Sequence, residues 1–268
     1  MPLEAIQHVR RMRGGAQAHL MRCSDGNFYV VKFLNNPQHR RVLANEMIAT
    51  RMAQLVGLPV PEGKVVVVDD WLIGHTSELS VQLEHSTIPC QAGLQFGSQY
   101  VVNPSEGQAF DHFPVETLGL VRNLETFAGI LALDKWTGNT DRRQAAFWKT
   151  RRERNYTASF IDHGYCFNAG KWTFPDHPLQ GVFASNEVYE SISGWDSFEP
   201  WLSNIEQMSE AKVWEIAKSV PPEWYCGQTF ELEKLVVELI ARRTIVRPLI
   251  QNFRQSPRDP FPSWSRVS

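Results

Sequence analysis

The sequence predicts an α+β chain in two lobes: a small β-rich lobe carrying one main helix, then a larger, mostly helical lobe carrying a short hairpin. Three observations predict it. Strand-like runs broken by turns fill the first third of the chain. Helical periodicity dominates from Pro114 onward. Between the two, the stretch LDKWTGNTDRRQAAFWKTRRERNYTASFIDHG (133–164) gathers Asp134, Asn139 and Asp141, with Asp162 following a short apolar strand. A chain of 268 residues is long enough for two lobes that share a cleft. The divisions expected are residues 1–100, residues 101–255, and a Pro- and Ser-rich tail at 256–268 predicted to be mobile.

In the small lobe, residues 5–12 and 18–23 read as strands flanking a turn that holds Gly14 and Gly15. The Ser24-Asp25-Gly26-Asn27 turn tolerates positive φ and leads into a third strand, FYVVKFL (28–34). That strand carries one charge, Lys32, and a buried ammonium needs a partner unless it reaches out of the sheet edge. Residues 41–55 follow with apolar side chains at helical spacing, stopped by Gly57, Pro59 and Pro61. Glu46 sits at the margin of the apolar stripe. A strand lysine, a glutamate on the next helix and a glycine turn before them make the arrangement by which kinases grip nucleotide phosphates. The turn is not a Walker A, because no GKS or GKT follows it. Residues 64–73 are predicted as a strand and 76–83 as a short helix. Residues 91–102 are expected to form an extended connection and hinge that offers backbone groups to a base, around Gly97 and Ser98.

In the large lobe, residues 115–133 have the helical period and deliver the chain to Asp134. Residues 145–148 and 159–161 pair as a hairpin with a charged loop between them. Helices are predicted at 201–208, 209–219 and 230–255, the last kinked near Pro248. Carboxylates at the ends of neighbouring strands suit Mg²⁺, which is held by one or two of them together with phosphate oxygens. Asn, Asp and Gly also make turns in their own right, which is the competing meaning of this cluster.

Composition excludes several classes. No apolar run approaches the ~20 residues that span a bilayer, so no membrane association is expected. The start lacks the apolar core and cleavage site of a signal peptide. Cys23, Cys90, Cys166 and Cys226 are scattered with no CxxC pair, against both a zinc site and a disulfide framework. A reducing cytoplasm is the compartment expected. A formal charge of −2 gives no electrostatic reason for nucleic acid as a direct ligand. The local run Arg142, Arg143, Lys149, Arg151, Arg152 and Arg154 reads either as a solvated hairpin or as a flank for a phosphate-bearing ligand.

Taken together, FYVVKF with Lys32, NEMIATRMAQLVGLPVPE (45–62), WTGNTDR (136–142) and FIDHG (160–164) resemble the HipA-like kinases. The resemblance runs from about Gly14 to Arg247 and implies a two-lobed protein-kinase-like fold. It implies an ATP- and Mg²⁺-dependent kinase that transfers the γ-phosphoryl group to a hydroxyl, with a protein as the expected substrate. By the same resemblance Lys32 contacts the phosphates, Glu46 pairs with it, and Asp162 holds the metal with His163 in place of the usual phenylalanine. Asp141 is the favoured catalytic acid. Asp134 competes for that role, because Asn139 follows it at the D-x-x-x-x-N spacing of protein kinases. The family includes toxins paired with an antitoxin, although nothing in the chain itself points to an antitoxin-like or regulatory partner.

Two positions depart from the family pattern. Where relatives usually carry a histidine two residues after the catalytic Asp, this chain has Arg143. Where they carry the second metal-binding asparagine, it has Ala146. Gln144 or Asn139 is the expected substitute ligand. Without one, the chain is expected to bind a single metal or to be a pseudokinase, a nucleotide-binding module without efficient transfer. A module that binds an anionic partner through the basic run is the third possibility.

Overall fold

The computed structural model describes residues 2–264. Strands β1 (Leu3–Arg11), β2 (His19–Cys23) and β3 (Phe28–Lys32) are followed by helix α1 (Val42–Leu55), then β4 (Gly63–Val68), the short α2 (Asp70–Gly74), β5 (Ser80–Gln82), β6 (Thr87–Pro89) and β7 (Gly93–Gln99). Five of these strands close into a barrel in the order β1-β2-β3-β7-β4. A short parallel contact between β1 and β4 (Leu3 with Val66, Glu4 with Val67) completes it. Alternate side chains point inward, so Met21, Tyr29, Val31 and Val66 fill the barrel and form a core of their own.

The second lobe begins with β8 (Gly107–Phe110) and a 3₁₀ turn over Val115–Leu120, and continues through α3 (Thr126–Thr137), β9 (Gln144–Thr150) and β10 (Thr157–Ile161). Helices α4 (Trp201–Glu206), α5 (Glu210–Lys218), α6 (Thr229–Arg242) and α7 (Val246–Arg254) complete it. β10, β9 and β8 form a three-stranded antiparallel sheet in that order. Helix α1 belongs to the core of this lobe although its sequence lies in the first: Val42, Leu43, Met47 and Ile48 pack with Phe127, Leu131 and Phe160. At about 1.5–3 kcal/mol per fully buried large apolar side chain, this shared core fixes α1 between the barrel and the helices. That placement decides where Glu46 points.

Four local expectations are corrected. The strand expected at 64–73 ends at Val68, because Asp69 accepts a hydrogen bond from the Leu72 N–H (2.7 Å) and starts α2. The helix expected at 76–83 is absent. Ser80–Gln82 pairs instead with Thr87–Pro89, which buries Val81 in the barrel core. The helix expected at 115–133 is split. The Asn123 amide binds both backbone groups of Ala158 (2.9 and 2.8 Å), so α3 starts only at Thr126 and runs on to Thr137, capped by Gly138 at φ 58°. Asp134 therefore lies inside the last turn of α3 and not beyond it. The long C-terminal helix breaks at Arg243–Ile245, ahead of the expected kink, which leaves Pro248 in the first turn of α7 where a missing N–H costs nothing.

The tail expected to be mobile packs as far as Trp264. Phe261 is buried against Phe253 and Phe198, and Arg258 donates to the carbonyls of Phe183 and Ala184 at 2.7 and 2.8 Å. The remainder of that predicted tail, 265–268, lies outside the described residues. Among the described residues no helix is long and apolar enough to cross a membrane, and the four cysteines are free thiols.

Candidate active site

Between barrel and helical lobe lies a cleft of about 480 Å³, within the range of small-molecule sites. Its roof is the turn at Gly14 and Gly15, its back the end of β3, and its floor the segments that follow α3 and β10. Gly14 has φ 111°, a conformation that glycine adopts without steric cost.

At the back of the cleft Lys32, the last residue of β3, is 7% exposed. Its Nζ donates to Glu46 Oε1 on α1 and, at 2.8 Å, to Asp162 Oδ1 just past β10. The second oxygen of Glu46 accepts the His163 N–H at 3.1 Å. Consecutive elements β3 and α1 thus meet the distant end of β10 on one ammonium, and the predicted Lys32–Glu46 pair is present. Burial works against Lys32's charge, but Asp162 and Glu46 outweigh it and hold the ammonium firmly protonated. For Asp162, burial alone would raise the carboxyl; the adjoining Lys32 overrides this and brings it to about 2. Glu46 moves the other way, raised because its complete burial and the Asp162 charge exceed the attraction of Lys32.

Asp162 adopts φ 61°, the left-handed region that non-glycine residues enter at a cost. Gly164 lets α1 come close behind it, since a Cβ there would lie 2.7 Å from Val42 Cγ2. Asn45, fully buried on α1, clamps the following loop: its Nδ2 donates to the carbonyls of Gly164, Cys166 and Ala169 (2.8–2.9 Å), while its Oδ1 accepts from Trp172 Nε1 (2.8 Å). In the sequence Asn45 opens the NEMIATRMAQLVGLPVPE motif, where no role is expected of it. The signal was there, as an amide on the apolar side of a helix must find partners. His163 is buried with neither ring nitrogen bonded to protein. Burial and the nearby Arg143 keep its ring neutral.

The two competing acids are placed differently. Asp134 is completely buried: its carboxylate takes Arg143 Nη2 at 2.5 Å, Arg143 Nε at 2.8 Å and Asn139 Nδ2 at 2.9 Å. Asp141 is half-buried and faces the cleft, with Oδ1 accepting only the Arg142 N–H (2.8 Å). Asn139 does not reach the cleft. Its Nδ2 is spent on Asp134 and its Oδ1 on the Asp141 N–H (3.1 Å), so both ends serve the loop, which corrects its reading as a metal ligand. Gln144 does reach the cleft and donates through Nε2 to Asp162 Oδ2 at 3.0 Å, which leaves its carbonyl oxygen unengaged. Ala146 lines the floor as a methyl group. No three His, Cys, Asp or Glu side chains converge as a metal site among the described residues. Asp162, Asp141 and Gln144 suit a hard cation only if ligand oxygens complete the shell, which is how Mg²⁺ is usually bound beside phosphates.

The stretch expected as a hinge meets the cleft only in part. Ser98 lines the cleft together with residues 99–101, but Gly97 does not. Gly97 is small because β7 crosses the barrel there, where a Cβ would fall 2.5 Å from Val66 Cγ2. Of the basic run, Arg143 is buried, Lys149 lies over the Tyr156 ring at 4.4 Å, and Arg151, Arg152 and Arg154 stand at the exposed hairpin tip outside the cleft.

Residues 5–253 match the family model described as HipA-like kinase. The chain belongs to the HipA-like kinase family. This family assignment makes it a kinase-type phosphotransferase by descent. Comparison with curated protein sequences gives no match. Among solved structures it is similar to a Helicobacter pylori proinflammatory kinase, CtkA (TM-score 0.56, 12% identity, covering 92% of this chain and 95% of that one). A Golgi casein kinase is similar as well (TM-score 0.55, 12% identity, 94% of this chain and 74% of that one), and so is the Golgi casein kinase with Mn and ADP bound (TM-score 0.52). At such identities these likenesses speak for the kinase fold alone. The expected two-lobed kinase-like fold holds.

Proposed function

We propose that this HipA-like kinase uses ATP and Mg²⁺ to phosphorylate a hydroxyl group, most fittingly on a protein. The observation that carries the reading is the meeting of Lys32, Glu46 and Asp162 at the back of a cleft whose floor presents Asp141. Phosphoryl transfer needs positioning and charge neutralisation more than covalent chemistry from the protein. Lys32, held by Glu46, supplies a fixed cation to the nucleotide phosphates. Asp162, kept ionised beside Lys32, and the Gln144 carbonyl would hold the metal, which would supply charge neutralisation for the transferred group. Asp141 lies free to orient the acceptor hydroxyl and take its proton. The base sits against Ser98 and residues 99–101, and the Gly14–Gly15 turn covers the phosphates. The similar Golgi casein kinase has been seen with Mn and ADP, which supports a nucleotide and a divalent cation here.

One observation favours a second reading. Ala146 cannot coordinate a metal, so the site holds fewer ligands than the family pattern provides, and a nucleotide-binding module without efficient transfer would look the same. Transfer from γ-labelled ATP to added protein or to the chain itself separates the two, with Asp141→Asn and Asp162→Asn as controls. Label lost in both variants supports the kinase, and full transfer in both sinks it. Thermal stabilisation by ATP without any turnover supports the second reading. A cytoplasmic setting, expected from the scattered cysteines, and a regulatory or antitoxin-like partner, expected from the family, belong to this proposal. Direct nucleic-acid binding does not, since the formal charge is −2 and the exposed arginines of the hairpin tip, Arg151, Arg152 and Arg154, lie away from the cleft.

A further inference from the structure

Asp141 and Asp162 face one cleft from different elements, and a single buried ion pair joins the segments that carry them. The Asp134 and Arg143 side chains are both fully excluded from solvent. Arg143 grips both oxygens of Asp134 with Nε and Nη2 (2.8 and 2.5 Å). Its remaining terminal nitrogen, Nη1, donates to the carbonyls of Ile161 (2.7 Å) and Asp162 (3.2 Å). Those peptide groups flank the one residue of the site whose backbone sits at φ 61°. From the other side, Asn139 connects the same Asp134 carboxylate (2.9 Å) to the Asp141 N–H (3.1 Å). Every polar atom of the path is used.

A buried ion pair is weak evidence of stability, because desolvating two charges offsets most of their attraction. Its value lies in geometry, and the rigid guanidinium fork suits that role: it can meet a carboxylate bidentately and still present a donor elsewhere, which an ammonium cannot do. We propose that Asp134 and Arg143 form a positioning pair that fixes Asp141 and Asp162 relative to each other, Arg143 acting on the Asp162 backbone and Asn139 passing the constraint to Asp141. On this view the arginine at the position where relatives usually carry histidine is a working replacement. The inference deepens the kinase reading above and rests on it for its functional consequence.

The test uses the full-length chain with Arg143→Lys, which keeps the charge and removes the fork, and Asn139→Ser, which leaves the ion pair intact and cuts only the arm to Asp141. Amide hydrogen exchange without nucleotide should be faster over residues 160–164 in Arg143→Lys and unchanged there in Asn139→Ser. Calorimetric titration with ATP should show Arg143→Lys losing roughly 10- to 100-fold of the affinity gained on adding Mg²⁺, the usual loss when an outer partner of a metal ligand is removed, with metal-free affinity altered by less than about threefold. Asn139→Ser should lower kcat with KM for ATP retained. Wild-type exchange over 160–164 in Arg143→Lys, or an unaltered kcat in Asn139→Ser, overturns the proposal. If Arg143→Lys does not fold, Asn139→Ser decides alone by its split between kcat and KM. The exchange measurement needs no ligand, so it judges the positioning pair even if wild-type affinity for ATP ignores Mg²⁺, an outcome that would instead refute the kinase reading.

Discussion

Replacing Lys32 with methionine keeps the side chain's length and removes the charge on which two carboxylates converge. Glu46 is 2% exposed and cannot turn to water, whereas the Asp162 side chain keeps 20% exposure on the cleft, so the cost of losing Lys32 falls chiefly on Glu46. Removing one member of a buried pair costs about 3–5 kcal/mol. At about 2.1 cal/mol/K of unfolding entropy per residue, the loss lowers Tm by roughly 5–9 °C for a chain of this length. The pH dependence has a definite sign. Without Lys32 the burial of Glu46 is opposed only by the His163 N–H and lifts its folded-state carboxyl further above the unfolded value. A group raised on folding stabilises below its unfolded pKa and loses that contribution as pH rises through the folded value. The Tm deficit of Lys32→Met is therefore largest at pH 7.5 and shrinks toward pH 5, where Glu46 takes up a proton. The depressed Asp162 of the wild type behaves oppositely, its stabilisation fading only as pH falls from about 3.8 toward 2, outside the measured range. Differential scanning calorimetry at the two pH values checks this. A deficit that is absent at pH 7.5, or that grows toward pH 5, would show that Lys32 is not the counter-charge of this cluster.

Further outcomes follow from the same geometry. Asp141→Asn abolishes phosphoryl transfer while Tm and ATP affinity stay near wild type, because its carboxylate accepts only one local N–H; fluorimetric Tm, titration and transfer assays read all three. Ala146→Asn returns an amide to the cleft floor and raises the Mg²⁺-dependent affinity for ATP, measured by titration against the Ala146→Val control, which adds bulk without a ligand atom. Gly97→Ala forces a Cβ to within 2.5 Å of Val66 and destabilises by about 1–3 kcal/mol in urea unfolding, the usual cost of overpacking a core. Phe261→Ala removes a ring seated among Phe198, Phe253 and Trp264 and costs about 3–5 kcal/mol by the same measurement; a mobile tail would lose nothing.

What the sequence disclosed best was whatever followed from burial of charge. Lys32 inside FYVVKF demanded an anion, and the next helix offered Glu46; one physical rule connected residues 14 apart. Asp162 became legible through its glycine, and the close approach of α1 at Gly164 is the packing reason for it. Arg143 remained opaque because a local pattern presents it as a missing histidine. Its meaning depends on Asp134 standing one turn inside α3, and the extent of α3 was misjudged at both ends. The start was hidden because Asn123 spends its amide on Ala158, a partner 35 residues away, which helical periodicity does not register. Gly97 was assigned to the ligand since a glycine near a hinge suggests backbone exposure, whereas the constraint is a barrel neighbour contributed by β4. The hairpin of β5 and β6 escaped for a similar reason: Val81 is drawn into the barrel by tertiary burial that no short window contains.

The closed barrel restricts how anything else can control this molecule. An open sheet offers unpaired backbone groups at its edges, to which an extended segment of another protein can add as an extra strand. Here β2, β3 and β7 are each paired on both sides, while the parallel seam of β1 against β4 joins only Leu3 with Val66 and Glu4 with Val67. An added strand therefore finds no free edge at β2, β3 or β7, and the stretch of β1 from Ala5 to Arg11, which leads into the Gly14–Gly15 turn, is the place in the barrel next to the cleft where one could pair.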